Sequence, residues 1–191
     1  MLKSSRRRDY LSVGAESILT GGRSQDALYA DAASEHGAAI GRVARGYERD
    51  PEKRRDLNQE IHFQLWRSFA SFDGRCSLRT WVYRVAHHVA ASHVLRERRK
   101  LSTLLSLEEL EKLPDTDPAD IEADTDRRKN LERLERLIQQ LKPLDRQVII
   151  SYLEEMDAAS IAETTGLAPA SVAMRIHRVK NILARRFHGR R

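Results

Sequence analysis

The chain carries one cysteine in 191 residues, Cys76, which leaves no internal disulfide framework and no paired-cysteine zinc site. Proline and glycine are scarce, five and nine. Sandwiches and barrels need both for their many turns, so the scarcity favours an all-α fold. No stretch approaches the roughly 18 consecutive apolar residues of a membrane-spanning helix. The opening residues, MLKSSRRRDYLSVGAES, hold an arginine triplet with no apolar run behind it, unlike a secretory leader. These absences point to a reducing, soluble compartment with no membrane insertion. Nucleophile–base pairs, phosphate loops and carboxylate dyads are missing as well, so neither catalytic residues nor a cofactor are expected. His87, His88 and His93 fall on different faces of a helix, which argues against a metal site.

What the chain has in quantity is positive charge, and most of it is arginine. The net charge is +6, and only seven of the 34 basic residues are lysine. Guanidinium groups bind phosphate and guanine edges in a bidentate manner, which favours a nucleic-acid partner. A solvated basic surface has the same composition, so the decision falls to pattern.

Hydrophobic spacing divides the chain into two helical domains. Residues 1–24 are polar, are broken by Gly21-Gly22, and are expected to form a mobile tail. The first domain spans residues 25–100. It opens with an alanine-rich helix carrying Leu28, Tyr29, Ala32, Ile40, Val43 and Tyr47. Asp50-Pro51 then caps and starts a second helix. Leu57, Ile61, Leu65 and Phe69 follow at i+4 intervals as one buried stripe. After the turn Phe72-Asp73-Gly74-Arg75, Ser77 caps a third helix with Leu78, Trp81, Val82, Val85 and Val89 inward and a basic end at Arg96, Arg98, Arg99 and Lys100. Residues 101–126 read as an acidic linker. Ser106 to Asp126 holds nine acidic residues against one lysine, with Pro114 and Pro118, and cannot fold alone.

The second domain spans residues 127–191. Leu131, Leu134, Leu137, Ile138 and Leu141 repeat at three and four, and Val148, Ile149 and Leu153 line a support helix. A short helix with Ile161 and Ala162 ends at Gly166, and Pro169 opens the next. That last helix turns Val172, Ile176, Val179 and Leu183 inward. Ser171, Ala173, Met174, Arg175, His177, Arg178 and Lys180 remain outside. A short apolar helix, a glycine turn and a basic amphipathic helix are the parts of a helix-turn-helix reader of the major groove. A helical hairpin with a solvated basic face shares the last helix, but not the glycine turn and proline start.

Asp56-Leu57-Asn58-Gln59-Glu60-Ile61, Leu65-Trp66, Phe72-Asp73-Gly74 and Leu78 to Ala86 are similar to region two of bacterial sigma factors. Leu144-Asp145-Arg146-Gln147-Val148 and Ile161-Ala162-Glu163 resemble region four. Order and spacing most resemble the extracytoplasmic-function (ECF) group. The resemblance implies a cytoplasmic bacterial protein that binds core RNA polymerase (β′ and β subunits), directs it to promoter DNA and answers to an anti-sigma factor. It assigns polymerase docking to the helix of Asp56, Gln59, Glu60 and Phe63. The −10 element and strand opening go to Phe72, Arg75, Ser77, Arg79, Arg84, His87 and His88. The −35 element goes to Ser171, Ala173, Met174, Arg175, His177, Arg178 and Lys180. Basic groups and an aromatic surface suit an unstacked single strand, though Phe72 also fits as a core plug, and Trp81 fits packing better than stacking.

Four positions depart from the family pattern: His88 where asparagine is usual, Ala173 and Met174 where a basic residue and serine are usual, and Ala158 in place of a capping serine, which hands the cap to Asp157. Two other readings fit parts of the pattern. A sigma mimic would shed its basic residues, whereas Arg84, Arg96, Arg98, Arg99, Arg175 and Arg178 are present. An ordinary helix-turn-helix regulator would have no need of the first-domain helices in this order.

Overall fold

The computed structural model describes residues 23–97, 104–112 and 127–188. The expected N-terminal tail, the basic end at Arg98, Arg99 and Lys100, and the stretch 113–126 of the acidic linker lie outside the described residues, apart from Arg23 and Ser24.

Helices form where the caps and stripes dictate. Helix α1 (Gln25–Tyr47) starts at Ser24, whose hydroxyl accepts the Ala27 N–H. Helix α2 (Pro51–Ser68) starts at Asp50, whose carboxylate accepts the N–H groups of Glu52 and Lys53 at 2.9 and 3.1 Å. Its stripe Leu57, Ile61, Leu65 and Phe69 is buried, the last in a short 3₁₀ turn, Phe69–Ser71. Helix α3 (Leu78–Glu97) is capped by Ser77, which accepts the Thr80 N–H at 3.0 Å. α1, α2 and α3 pack on one another as the first lobe. Trp81 is half-buried, with its indole N–H on the Ser68 hydroxyl and Phe72 against its ring, so both aromatics pack in this fold.

The second lobe consists of α5 (Arg127–Gln140), α6 (Pro143–Leu153), α7 (Ala158–Thr165) and α8 (Pro169–His188). Asp157 caps α7 by accepting the Ser160 N–H at 2.8 Å, and Gly166 ends it at φ 73°, where a side chain would be strained.

One feature departs from the sequence reading. Within the linker, Leu107–Lys112 forms a helix, α4, preceded by a bridge between Leu105 and Leu141. Alone it would not fold, but Leu107 and Leu110 are buried in the second lobe, beside Val179 and Ile182 of α8. Its start is a capping box in which Ser106 and Glu109 satisfy each other's N–H groups.

The arrangement of the lobes, on which the sequence is silent, is a packed one. α1 lies on α5 and α6, and α3 lies on α6 and α7. Gly46 lies at this contact: a Cβ there would come within 2.5 Å of Ile150 Cδ1, so that side chain would have to shift. Arg146, almost wholly buried, donates to the carbonyls of Leu141 (2.9 Å) and Tyr47 (3.4 Å) and lies over the Tyr47 ring. It thereby places a cation at the carbonyl end of α1.

Candidate polymerase and nucleic-acid interfaces

On the outer face of α2, Asp56, Gln59 and Phe63 are exposed and Glu60 is half-buried. Each lies off the buried stripe, so helical geometry turns it outward. Phe63 is 53% exposed, and Trp66, one turn further on, is 38% exposed. Their ring centroids stand 6.5 Å apart, and the Trp66 indole N–H is held by Asp26. The sequence reading missed Trp66 as a surface residue, although its i+3 spacing from Phe63 was the available signal.

The residues expected at the −10 element are spread over α3 and the loop before it. Arg75, Ser77, Arg79 and His88 are exposed, while Phe72 and Arg84 are half-buried. Gly74 turns the loop at φ 74°, and Asp73 pairs with Arg75 at 3.0 Å. Arg79 and Arg84 point across the lobe boundary: Arg79 donates to the Glu154 carbonyl, and Arg84 donates to the Glu163 carbonyl at 3.2 Å. His87 does not face outward. It is fully buried between the lobes, with Nδ1 on the Tyr47 hydroxyl (3.1 Å) and Nε2 on the Ser151 hydroxyl (3.2 Å). With both ring nitrogens engaged and no exposed surface, it has nothing to offer a DNA strand in this arrangement. Burial pushes its pKa down to about 3, so it is neutral.

Glu154, at the end of α6, is the hub of the boundary, and the sequence reading did not anticipate it. Its carboxylate accepts from Nε and Nη2 of Arg42, each at 2.6 Å, and from the Tyr83 hydroxyl at 3.1 Å. Burial and this carboxylate raise the Tyr83 pKa to about 12. No local pattern singles out Glu154, because Arg42 lies 112 positions away. A cleft of about 690 Å³ opens beside this hub, with the partly exposed Leu131 and Leu153 among its lining.

On α8, Val172, Val179 and Ile182 are buried, whereas Ala173, Met174, His177 and Lys180 are exposed, Met174 at 61%. Ser171, Arg175 and Arg178 are half-buried on the flank of that face. Lys180 leans back over the Tyr152 ring at 5.2 Å. Arg175 pairs with Asp145, whose other oxygen accepts the Leu107 N–H at 3.2 Å. Arg178 pairs with both Glu108 and Glu111 of α4. The outer face of α8 therefore presents Ala173 and Met174 beside His177 and Lys180, while the half-buried guanidinium groups of Arg175 and Arg178 are engaged within the molecule.

Residues 33–100 match the family description Sigma-70 region 2, and residues 131–183 match Sigma-70, region 4. The chain is 29% identical over 130 residues to RNA polymerase sigma factor YlaC of Bacillus subtilis (strain 168), covering 68% of this chain and 74% of that protein. It is 28% identical over 148 residues to ECF RNA polymerase sigma factor SigG of Mycobacterium tuberculosis (strain ATCC 25618 / H37Rv), covering 67% of this chain and 40% of that protein. Among solved structures the fold is similar to that of CnrH in complex with the cytosolic domain of CnrY. The TM-score is 0.58 at 20% identity, over 84% of this chain and 87% of that one.

Proposed function

Because the chain belongs to the extracytoplasmic-function group of the sigma-70 family, we propose that it docks on core RNA polymerase through α2 and carries it to promoters through two separate DNA surfaces. The observation that carries this reading is the exposed Phe63–Trp66 pair beside Asp56, Gln59 and Glu60. Two neighbouring rings with this much exposed apolar surface, set in a polar rim, are what a protein-binding surface presents. The β′ subunit is the proposed partner there, and β is a further polymerase contact.

The −35 element lies against the outer face of α8, with His177 and Lys180 near its centre and Arg175 and Arg178 on its flank. Ser171, Ala173 and Met174 let the helix approach closely, and their small or apolar character favours thymine methyl contact over hydrogen bonding. Opened −10 DNA meets Arg75, Ser77 and His88, with Phe72 packed at the base of that loop, and Arg79 and Arg84 come within reach once the lobes part. His87 contributes by fixing the lobe boundary. The chain performs no chemistry of its own; bond formation belongs to the polymerase. A protein regulator, an anti-sigma factor, is proposed at the inter-lobe cleft. CnrH, of similar fold, was solved with a bound cytosolic domain of CnrY, and the cleft offers Leu131 and Leu153 to an apolar helix. We place the protein in the bacterial cytoplasm; no helix among the described residues is long and apolar enough to cross a membrane.

The test is reconstitution: the protein is added to core polymerase, and run-off transcription is measured on candidate promoters. Promoter-dependent transcripts that need both components are expected. Failure to bind core polymerase would end the reading, and binding without promoter opening would turn it towards a mimic.

A further inference from the structure

The acidic helix α4 lies against the basic helix α8, and the manner of its attachment is specific. Its start is held by the Ser106–Glu109 capping box and by the Leu105 backbone, whose N–H and carbonyl bond to Gln140 and Lys142 at 2.8 and 2.7 Å. Leu107 and Leu110 anchor it in the apolar interior of the second lobe. So fixed, it presents Glu108 and Glu111 to one side chain, Arg178, and the Arg185 guanidinium donates to the Glu111 carbonyl at 3.1 Å. Arg178 follows His177 and lies one turn beyond Met174, both on the exposed face of α8. Two carboxylates thus engage the Nη1 and Nε of a guanidinium that would otherwise meet phosphate oxygens.

We propose that α4 is an internal competitor for DNA: in the free protein its carboxylates hold Arg178, and duplex DNA engages α8 fully only when α4 gives Arg178 up. This rests on the reading of α8 as the duplex-DNA surface. The competition is weak by design of its chemistry. Both carboxylates are partly exposed, 49% and 39%, so the ion pairs are screened and reversible. A polyanion that offers many phosphates at once displaces them. The protein is then held back from scattered, non-specific duplex more than from a promoter on which polymerase and both lobes act together.

The experiment uses the full chain and a fluorescently labelled 30-base-pair duplex of random sequence (about 0.1 M salt, anisotropy readout). The variant Glu108→Gln/Glu111→Gln should bind about five- to thirtyfold more tightly than the wild type, the equivalent of releasing two exposed ion pairs. The charge-matched control is Asp31→Asn/Glu52→Gln. It removes two acids from the first lobe and frees Arg23 and Arg55 from their pairs there, and it should leave affinity within about twofold. Adding Arg178→Ala to the α4 variant should cancel the gain. Thermal melts of all forms establish that each is folded. An equal gain from the control would reduce the effect to net charge and overturn the proposal. So would an unchanged affinity in the α4 variant while Arg178→Ala weakens the wild type, an outcome that keeps α8 as the DNA surface. No binding by any folded form would remove the DNA reading itself, and the competitor with it.

Discussion

The outer faces of α2 and α8 are both assigned to partners, yet the chain treats them in opposite ways. The α2 face is largely open, with Phe63 and the outer part of Trp66 in solvent, although Asp26 of α1 holds the Trp66 indole N–H. The flanks of α8 are occupied: Arg175 by Asp145, and Arg178 by Glu108 and Glu111. Arg79 and Arg84 of the first lobe are likewise turned onto carbonyls of the second. On the proposed assignment, the polymerase surface is open in the free chain, while Arg79, Arg84, Arg175 and Arg178 of the DNA surfaces are engaged internally.

The contrast is most easily broken at α2. Phe63→Asp with Trp66→Ala should lower affinity for core polymerase at least about a hundredfold, as removal of a central aromatic anchor does. Pull-down or interferometry reads this directly, and an unchanged affinity would mean that the exposed rings serve something else. Next in size is the lobe boundary. Gly46→Leu forces a side chain into Ile150, so the lobes should separate while α1, freed of an interior glycine, stays helical. Small-angle scattering should show a larger radius of gyration, and a radius equal to that of the wild type would contradict this packing.

Smaller effects sharpen the comparison. Arg178→Ala should cost about 1–3 kcal/mol in promoter binding by the polymerase complex if it meets a base, or lower the salt slope by about one if it meets phosphate. Retained affinity and slope would leave Arg178 as a partner of α4 alone. His87 gives the closed form a pH dependence. Its pKa is about 3 in the folded chain and near 6.5 when unfolded, so below pH 6.5 the unfolded state takes up a proton that the folded state refuses. Stability is therefore complete above pH 6.5 and falls as pH drops towards 3, by up to about 1.4 kcal/mol per pH unit. His36 and His62, also lowered by burial, act in the same direction, and Asp145, raised by burial, opposes them. Denaturant titrations at pH 7 and pH 5 should show a shallower loss for His87→Asn than for the wild type. The least effect belongs to Asp157→Ala, about 1 kcal/mol of stability from the lost α7 cap, read from the melting temperature.

Much of the second lobe was legible because its signals are local. Gly166 at positive φ, Pro169 in the first turn and Asp157 as cap each act within four residues, and the stripe on α8 follows from helical periodicity alone. The same holds for Asp50, Ser77 and the Leu57–Ile61–Leu65 stripe. The family motifs are local in the same way, short runs such as Asp56 to Ile61, Leu144 to Val148 and Ile161 to Glu163. α4 was misread for an instructive reason. Composition registered nine acidic residues but passed over Ser106–Glu109, a capping box followed by a leucine pair that needed an apolar surface supplied from elsewhere.

By itself, then, the sequence determined two helical lobes, their caps and buried stripes, the family, and which residues carry charge or aromatic surface. Only the tertiary structure decided which of those groups are free. His87 moved from candidate DNA contact to buried boundary residue, Glu154 became the hub for Arg42 and Tyr83, and α4 settled on α8. Each of these depends on partners far apart in the chain, 112 positions in the case of Arg42 and Glu154. Helical periodicity reports which way a side chain points within its own helix. It carries no information about which distant surface arrives to meet it, and here that arrival separates an open face from an occupied one.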